Sequence, residues 1–118
     1  MKKWTIDPFV FTVVFAADPK EIRDPVVRRR LTRLVKDGGS SAFCHMSKDT
    51  NTAYILLVPD KTASFPDLVD SVAHEVFHVV GFLYEAIGED ARIRDVSEPP
   101  AYWQGFLTGE IIRALGYS

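Results

Sequence analysis

The sequence is poor in several features whose scarcity limits what the chain can be. It has one cysteine, Cys44, among 118 residues, so no disulfide can form within the chain. The formal net charge is only −2, which argues against the whole molecule being a polyelectrolyte that binds nucleic acid or an anionic membrane. The apolar stretch near the start, residues 9–17, has nine residues, whereas a membrane-spanning helix needs about 20. We therefore expect no transmembrane segment, no signal peptide and a cytoplasmic location.

What is present resembles an ordinary folded domain. Hydrophobic residues make up 47% of the chain and charged residues 25%. There is no repeat, no low-complexity segment and no linker, so residues 1–118 are expected to form a single domain. Apolar periodicity and turn residues predict an α+β domain with the element order β-α-β-β-α-α.

The predicted strands and helices follow from local signals. Residues 9–16, FVFTVVFA, have the composition of a strand that is buried on both faces. Asp24 and Pro25 are typical of a helix start, and Lys48 to Asn51 are typical of a turn between strands. We predict strands at 9–16, 41–46 and 53–58 and helices at 25–36, 67–86 and 97–115. The strand at 53–58 is expected to offer an edge to an extended peptide.

The motif HEVFH at residues 74–78 is the main indication of chemistry. Residues four apart lie on one face of a helix, so His74 and His78 can both bind one metal ion. Zinc suits such imidazole ligands. The carboxylate of Glu75 lies at the edge of that face, where it can take a proton from a zinc-activated water and act as general base. This is the arrangement of the H-E-x-x-H zinc peptidases.

The competing explanation is a core helix that carries hydrogen-bonded histidines. Two of the three histidines and a glutamate lie on an otherwise very apolar helix. Burying three titratable groups without a purpose would cost several kcal/mol. The sequence therefore predicts a metal site, with Zn2+ as cofactor.

The third ligand is not part of the motif itself. Gly81 lies where metzincins have their glycine, but Tyr84 stands where those enzymes have a third histidine. Glu85 is seven residues after His78, which is roughly 10 Å along one helix and too far to share the ion. We predict no ligand role for Tyr84 or Glu85.

Glu98 is the predicted third ligand, because it begins a helix that can fold back against the motif helix. Ala101, Tyr102 and Gly105 share a face with Glu98 by their spacing, and the two small residues would permit close approach of the helices. Tyr102 is then a candidate hydroxyl donor to an anionic intermediate, the alternative being a packed aromatic ring. For Glu98 the alternative is a carboxylate that only complements the helix dipole. Other candidate ligands in the intervening loop are Glu89, Asp90 and Asp95.

HEVFH, followed about twenty residues later by SEPPAYWQGFLTGEI, resembles the gluzincin arrangement of HExxH plus a downstream glutamate. More narrowly, it is similar to small phage metallopeptidases. The resemblance covers about residues 41–115 and implies a minimal zincin-like domain with a small sheet packed on the HExxH helix. It implies that His74, His78 and Glu98 bind zinc, that Glu75 is the general base, and that the chain is phage-encoded and works in the host cytoplasm. Gluzincin peptidases generally have a further subdomain for the substrate cleft, which these 118 residues do not supply.

Two other features carry weaker hypotheses. The basic run RRRLTR at residues 28–33, with Lys36, is predicted to be the solvated face of an amphipathic helix, and contact with nucleic acid or an acidic partner is the alternative. His45 adjoins Cys44 on a strand, so at most one of them can point toward the metal. Cys44 is most simply a small buried residue.

The predicted function is hydrolysis of a peptide or amide bond in a peptide or protein substrate. The alternative is a zinc-stabilised binding module that acts on a host or virion protein by contact alone. Neither a membrane nor nucleic acid is expected as a partner. The sequence does not indicate the substrate or the oligomeric state.

Overall fold

The fold is that of a computed structural model, which describes residues 1–6, 11–37, 42–58, 62–87 and 98–117. The side chains of residues 37, 86, 87 and 98–100 lie outside this description. The elements in chain order are β1 (Lys2–Ile6), β2 (Phe11–Ala16), a 3₁₀ turn (Pro19–Glu21), α1 (Pro25–Asp37), β3 (Ala42–Ser47), β4 (Thr52–Leu57), α2 (Phe65–Ile87) and α3 (Glu98–Ala114).

The four strands form one mixed sheet in the order β1-β2-β4-β3. β2 and β4 lie side by side in parallel at its centre, while β1 and β3 pair antiparallel with them at the two edges. The central strands are the most apolar, as strands covered on both faces must be. The edge strand β1 carries two exposed lysines, which discourage further pairing at that edge.

Helices cover both faces of the sheet and bury two separate cores. α1 packs on one face, over a cluster that includes Leu31 and Leu56. α2 and α3 pack on the other face, over a larger cluster that includes Ile55, Val76 and Ile111. Alternation along β4 sends Ile55 to one core and Leu56 to the other, so each strand residue has a fixed helix partner.

Local signals fix the helix ends. The carboxylate of Asp24 accepts hydrogen bonds from the backbone N–H groups of Val26 and Val27, as expected of an N-cap. α3 ends in a Schellman motif, in which the N–H of Gly116 bonds the Arg113 carbonyl and the N–H of Tyr117 bonds the Ile112 carbonyl. Gly116 has φ of +99°, a conformation that favours glycine.

The structure confirms an α+β domain with a small mixed sheet and three helices among the described residues, but it differs from the prediction in two respects. β1 was not predicted, because two lysines in five residues give a weak strand signal that only pairing with β2 makes up. The strand at 53–58 corresponds to β4. The prediction that it offers an edge is wrong, because β2 and β3 flank it. The edge beside the motif helix is β3. Within the described ranges, no helix is both long enough and apolar enough to cross a bilayer.

Candidate metal centre

The HEVFH motif lies in the middle of α2, and the helix presents its five residues to three different environments. Val76 is fully buried against the sheet. Glu75 lies on the flank of the helix that faces β3. His74 and His78 lie on the outer side of the helix and are exposed. The helical repeat that buries Val76 therefore turns the two imidazoles toward solvent.

The two imidazoles converge on one point. The Nε2 atoms of His74 and His78 lie 3.3 Å apart, with the rings nearly perpendicular. Two nitrogens that bind one tetrahedral zinc at about 2.0–2.1 Å are about 3.3–3.4 Å from each other. A hydrogen bond between the rings would require one Nε2 to carry a proton, and 3.3 Å is long for such a bond. The separation thus fits two ligands of one zinc ion.

Glu75 is a buried carboxyl group beside this pair, with only 8% of its surface exposed. Burial raises its pKa above the ordinary value for glutamate, and the nearby His74 and His78 lower it by smaller amounts. A raised pKa makes the carboxylate a stronger base at neutral pH than an exposed glutamate. The position of Glu75 on the flank of α2 agrees with its predicted place at the edge of the face that carries the two histidines.

Cys44 on the facing strand β3 lines the same groove as Glu75. The sequence analysis did not predict that these two side chains lie near each other. Burial first, and the charge of Glu75 second, raise the pKa of the thiol to about 12. Cys44 is therefore a protonated thiol near neutral pH, neither a nucleophile nor a thiolate ligand. Its Sγ contacts the Sδ of Met46 at 3.9 Å, on the same face of β3.

A groove of about 680 Å³ runs between β3 and α2, beside Glu75 and His78. One wall is the face of β3 with Cys44 and Met46, and the other is the flank of α2 with Gly81 and Phe82. The groove is lined by polar and apolar side chains and is open to solvent, and β3 forms its edge without a strand beyond it among the described residues. The arrangement can accept an extended segment alongside this edge strand.

Among the residues whose side chains are described, no third histidine, cysteine, aspartate or glutamate joins the pair. Glu85, for which no ligand role was predicted, is exposed and lies farther along the groove. The alternatives Glu89, Asp90 and Asp95 lie outside the described residues, as does the side chain of Glu98. The third-ligand prediction therefore stays a prediction.

The backbone of Glu98 nevertheless lies in the first turn of α3, which runs antiparallel to α2. The side-chain amide of Gln104 donates to the carbonyl of Ala73 at 3.1 Å, and the Phe65 and Tyr117 rings lie 4.8 Å apart at the other end of the helix pair. Glu98 is six residues before Gln104, and His78 is five residues after Ala73. At ~1.5 Å per residue, the first turn of α3 is level with the His78 turn of α2.

The predicted packing face of α3 is wrong. Ala101 and Gly105 are exposed, and a Cβ atom on Gly105 would have no neighbour within 4 Å, so these small residues do not bring the helices together. The packing face instead carries Gln104, Leu107 and Ile111. The spacing of three and four residues correctly predicted that Ala101 and Gly105 share one face of α3. It could not indicate which face of α3 packs on α2.

Tyr102 lies on the exposed side of α3, with 62% of its surface accessible. Its ring stacks on Phe106 and meets Trp103 edge-on, so its described contacts are within its own helix. The hydroxyl-donor role of Tyr102 stays a prediction.

His45 points away from the histidine pair. Its ring lies 6.2 Å from the ring of Tyr54, on the sheet face that α1 covers. Burial lowers its pKa, and the charge of Arg30 in α1 lowers it further, while Asp24 raises it. The prediction that only one of Cys44 and His45 could face the site is confirmed by these contacts. That residue is Cys44, which excludes His45 as a replacement ligand.

Comparison of the chain with models of protein families, with curated proteins and with solved structures gave no significant match. The case for a function at this site therefore depends on the geometry of the site itself.

Proposed function

We propose that the chain is a small zinc-dependent metallopeptidase with a zincin-like arrangement of sheet and motif helix. The observation that carries the proposal is the 3.3 Å separation of the His74 and His78 Nε2 atoms beside a buried carboxyl group. Zinc would be held by His74, His78 and Glu98. The antiparallel course of α3 brings its first turn level with His78, which supports Glu98 in this role by its height along the helix pair, although Ala101 and Gly105, which share its face by spacing, are exposed to solvent, as the two histidines are.

Each residue of the proposed site has a defined part. A zinc ion held here supplies a Lewis acid that polarises a scissile carbonyl and lowers the pKa of water. Glu75 accepts the proton of the attacking water and passes it to the leaving amine. Its burial supports this role because burial raises the proton affinity of the carboxylate. The protonated Cys44 thiol keeps a second negative charge away from Glu75.

The proposed substrate is an extended peptide that pairs with β3, an edge strand of the sheet among the described residues. Main-chain hydrogen bonds to β3 would hold the peptide, and alternate side chains would enter the groove. This places the scissile bond beside Glu75 and His78, which also line the groove. We therefore assign the pairing with the peptide to β3, in place of the strand at 53–58 that the sequence predicted.

Metal analysis of purified protein tests the ligand set. We expect one zinc per chain in the wild type and in Glu75→Gln, and loss of zinc in His78→Ala and Glu98→Ala. Glu85→Ala is the matched control, since Glu85 is an exposed glutamate of the same groove and should retain zinc. Zinc retained by Glu98→Ala would rule out Glu98 as the third ligand.

Hydrolysis of a peptide library, read by mass spectrometry, tests the chemistry. Glu75→Gln should abolish cleavage while zinc stays bound and the fold is intact by circular dichroism. Undiminished cleavage by Glu75→Gln would contradict the general-base role.

Gly81 offers a separate test of the groove. A Cβ atom at Gly81 would meet no atom within 4 Å, and Gly81 lines the groove, so we expect the ring in Gly81→Trp to occupy the groove and not the core. We expect zinc to remain bound and cleavage to fall at least tenfold. Gly105→Trp is the control, because Gly105 is equally open but lies outside the groove. Equal cleavage by both variants would exclude the groove as the substrate site.

The alternative is a zinc-stabilised binding module, and one observation favours it. Phe77 is 70% exposed beside His78 and borders the open groove, as a large apolar side chain does at a protein contact surface. In that case zinc binding persists, no peptide is cleaved, and Glu75→Gln leaves the biological effect unchanged. Cleavage by the wild type that is lost in Glu75→Gln would therefore favour the peptidase, and no cleavage by the wild type would favour the binding module.

A further inference from the structure

The outer face of α1 is basic along its whole length. Arg29, Arg33 and Lys36 follow one another at spacings of four and three, so they share one face of the helix, and all three are exposed. Lys20, in the 3₁₀ turn that precedes α1, is exposed on the same side of the molecule. These four side chains, which we call the basic face, border a hollow of about 530 Å³.

A fifth cation, Arg28, is fixed at the border of this hollow. Its Nη1 donates to the carbonyl of Ile22 at 2.9 Å and to that of Arg23 at 3.4 Å. The guanidinium is therefore held in place by the backbone before any partner arrives. Thr32 also lines the hollow, and its hydroxyl donates to the Arg28 carbonyl.

The basic face is unfavourable for the isolated chain. Like charges at positions i and i+4 destabilise a helix by about 0.2–0.5 kcal/mol per pair. Within the described part of the chain, no carboxylate forms an ion pair with any of the four side chains. Outside α1 the chain has nine basic and fifteen acidic residues, so the positive charge is concentrated in a molecule that is otherwise acidic. The net charge of −2 does not reveal that the positive charges are concentrated on α1.

We propose that the basic face binds the phosphate backbone of double-stranded nucleic acid without reading its sequence. The proposal is independent of the metal centre, because α1 lies on the opposite face of the sheet from α2. It departs from the sequence-based expectation that this run is only a solvated face.

The residues of the basic face favour a nucleic-acid duplex over an acidic protein, a lipid surface or a single strand as its partner. Protein interfaces are centred on aromatic or other apolar side chains, whereas Val26 is the one exposed large hydrophobic residue in the described part of α1. The apolar side of α1, with Val27 and Leu31, is buried on the sheet and cannot enter a lipid interface. Single strands bind through stacked bases, and no aromatic side chain among the described residues borders the hollow. A hollow bordered by five cationic side chains and by no described aromatic ring fits duplex phosphates.

The test is fluorescence anisotropy of a labelled 20-base-pair duplex of arbitrary sequence, titrated with the whole chain at several salt concentrations. Four phosphate contacts predict a slope of about −3.6 for log K against log salt, and a loss of roughly 100-fold in affinity between 50 and 200 mM NaCl. An unrelated duplex should bind equally well.

Charge reversal tests the location. In Arg29→Glu/Arg33→Glu we expect at least tenfold weaker binding at 50 mM NaCl and a slope no steeper than about −1.8. Lys2→Glu/Lys48→Glu is the matched control, with the same change in net charge at exposed positions away from α1. Arg29→Lys/Arg33→Lys should keep most of the affinity, because lysine also binds phosphate as a point charge.

Several results would overturn the proposal. They are no duplex binding by the wild type at 50 mM NaCl, equal binding by the two charge-reversal variants, and tighter binding of single strands than of duplex. Polyglutamate that competes as well as duplex at equal charge would assign the face to an acidic protein. Binding to phosphatidylserine vesicles in place of duplex would assign it to membranes. If the reversal variant fails to fold by circular dichroism, Arg29→Gln/Arg33→Gln gives the same comparison.

Discussion

Zinc should raise the melting temperature of this chain. The size of the shift follows from the chain length and from the ratio of the zinc concentration to its dissociation constant. A ligand at 100 times its dissociation constant stabilises the folded state by about 2.7 kcal/mol when the unfolded chain does not bind it. The unfolding entropy is about 2.1 cal/mol/K per residue, or roughly 250 cal/mol/K for 118 residues. Dividing one by the other gives an increase of roughly 10 °C.

The three histidines of the chain allow the shift to be assigned completely. Differential scanning fluorimetry with and without zinc should show the full shift in the wild type and in His45→Ala, because His45 faces α1. His78→Ala loses half of the 3.3 Å pair, and we expect its zinc affinity to fall at least about 100-fold. Zinc at a concentration equal to the dissociation constant stabilises the folded state by only about 0.4 kcal/mol, so the shift in His78→Ala should be no more than about 1–2 °C. A full shift in His78→Ala, or none in the wild type, would refute the metal centre.

Three further predictions concern stability in the absence of zinc. The raised pKa of Glu75 means that its contribution to stability is fully present below the unfolded pKa and is lost as pH rises through the folded pKa. Urea unfolding of Glu75→Gln should therefore show a gain over wild type at pH 7 that shrinks at pH 4; an equal difference at both pH values would contradict this. Ile111→Ala removes a fully buried side chain from the larger core and should cost about 2–5 kcal/mol in the free energy of unfolding, whereas a cost under 1 kcal/mol would show that the helix pair is loosely packed. Gly81→Ala should stabilise the chain by about 0.5–1 kcal/mol and Gly116→Ala should destabilise it by about 1–2 kcal/mol, because only Gly116 has a positive φ; the same sign for both would contradict the C-cap geometry.

Much of the local structure was predictable because its causes are local. The N-cap at Asp24, the turn at Lys48 to Asn51 and the stop at Gly116 depend on neighbouring residues, and all three are observed. The four-residue spacing of His74 and His78 also depends only on the helical repeat. That spacing was enough to predict that the two imidazoles meet.

The errors concern which surfaces meet. β1 has little strand signal of its own, and it exists because β2 offers it an antiparallel partner. The face of α3 with Ala101 and Gly105 looked suited to close packing, but Leu107 and Ile111 bury more apolar surface and turn that face to solvent. Position within a sheet and choice of packing face depend on contacts between distant residues, which spacing alone does not encode.

For this protein, the sequence by itself determined the α+β class, the helix that carries HEVFH and the convergence of its two histidines, because each follows from a local repeat. The tertiary structure alone decided that β3, and not the strand at 53–58, is the edge strand beside the motif helix among the described residues. It also buried Glu75 on the flank of α2 that lines the groove with Cys44, and it turned His45 toward α1. The basic run became a continuous face only when the apolar side of α1 was fixed on the sheet. Strand order and burial are properties of the whole packed chain, and they converted a motif into a candidate site with a groove.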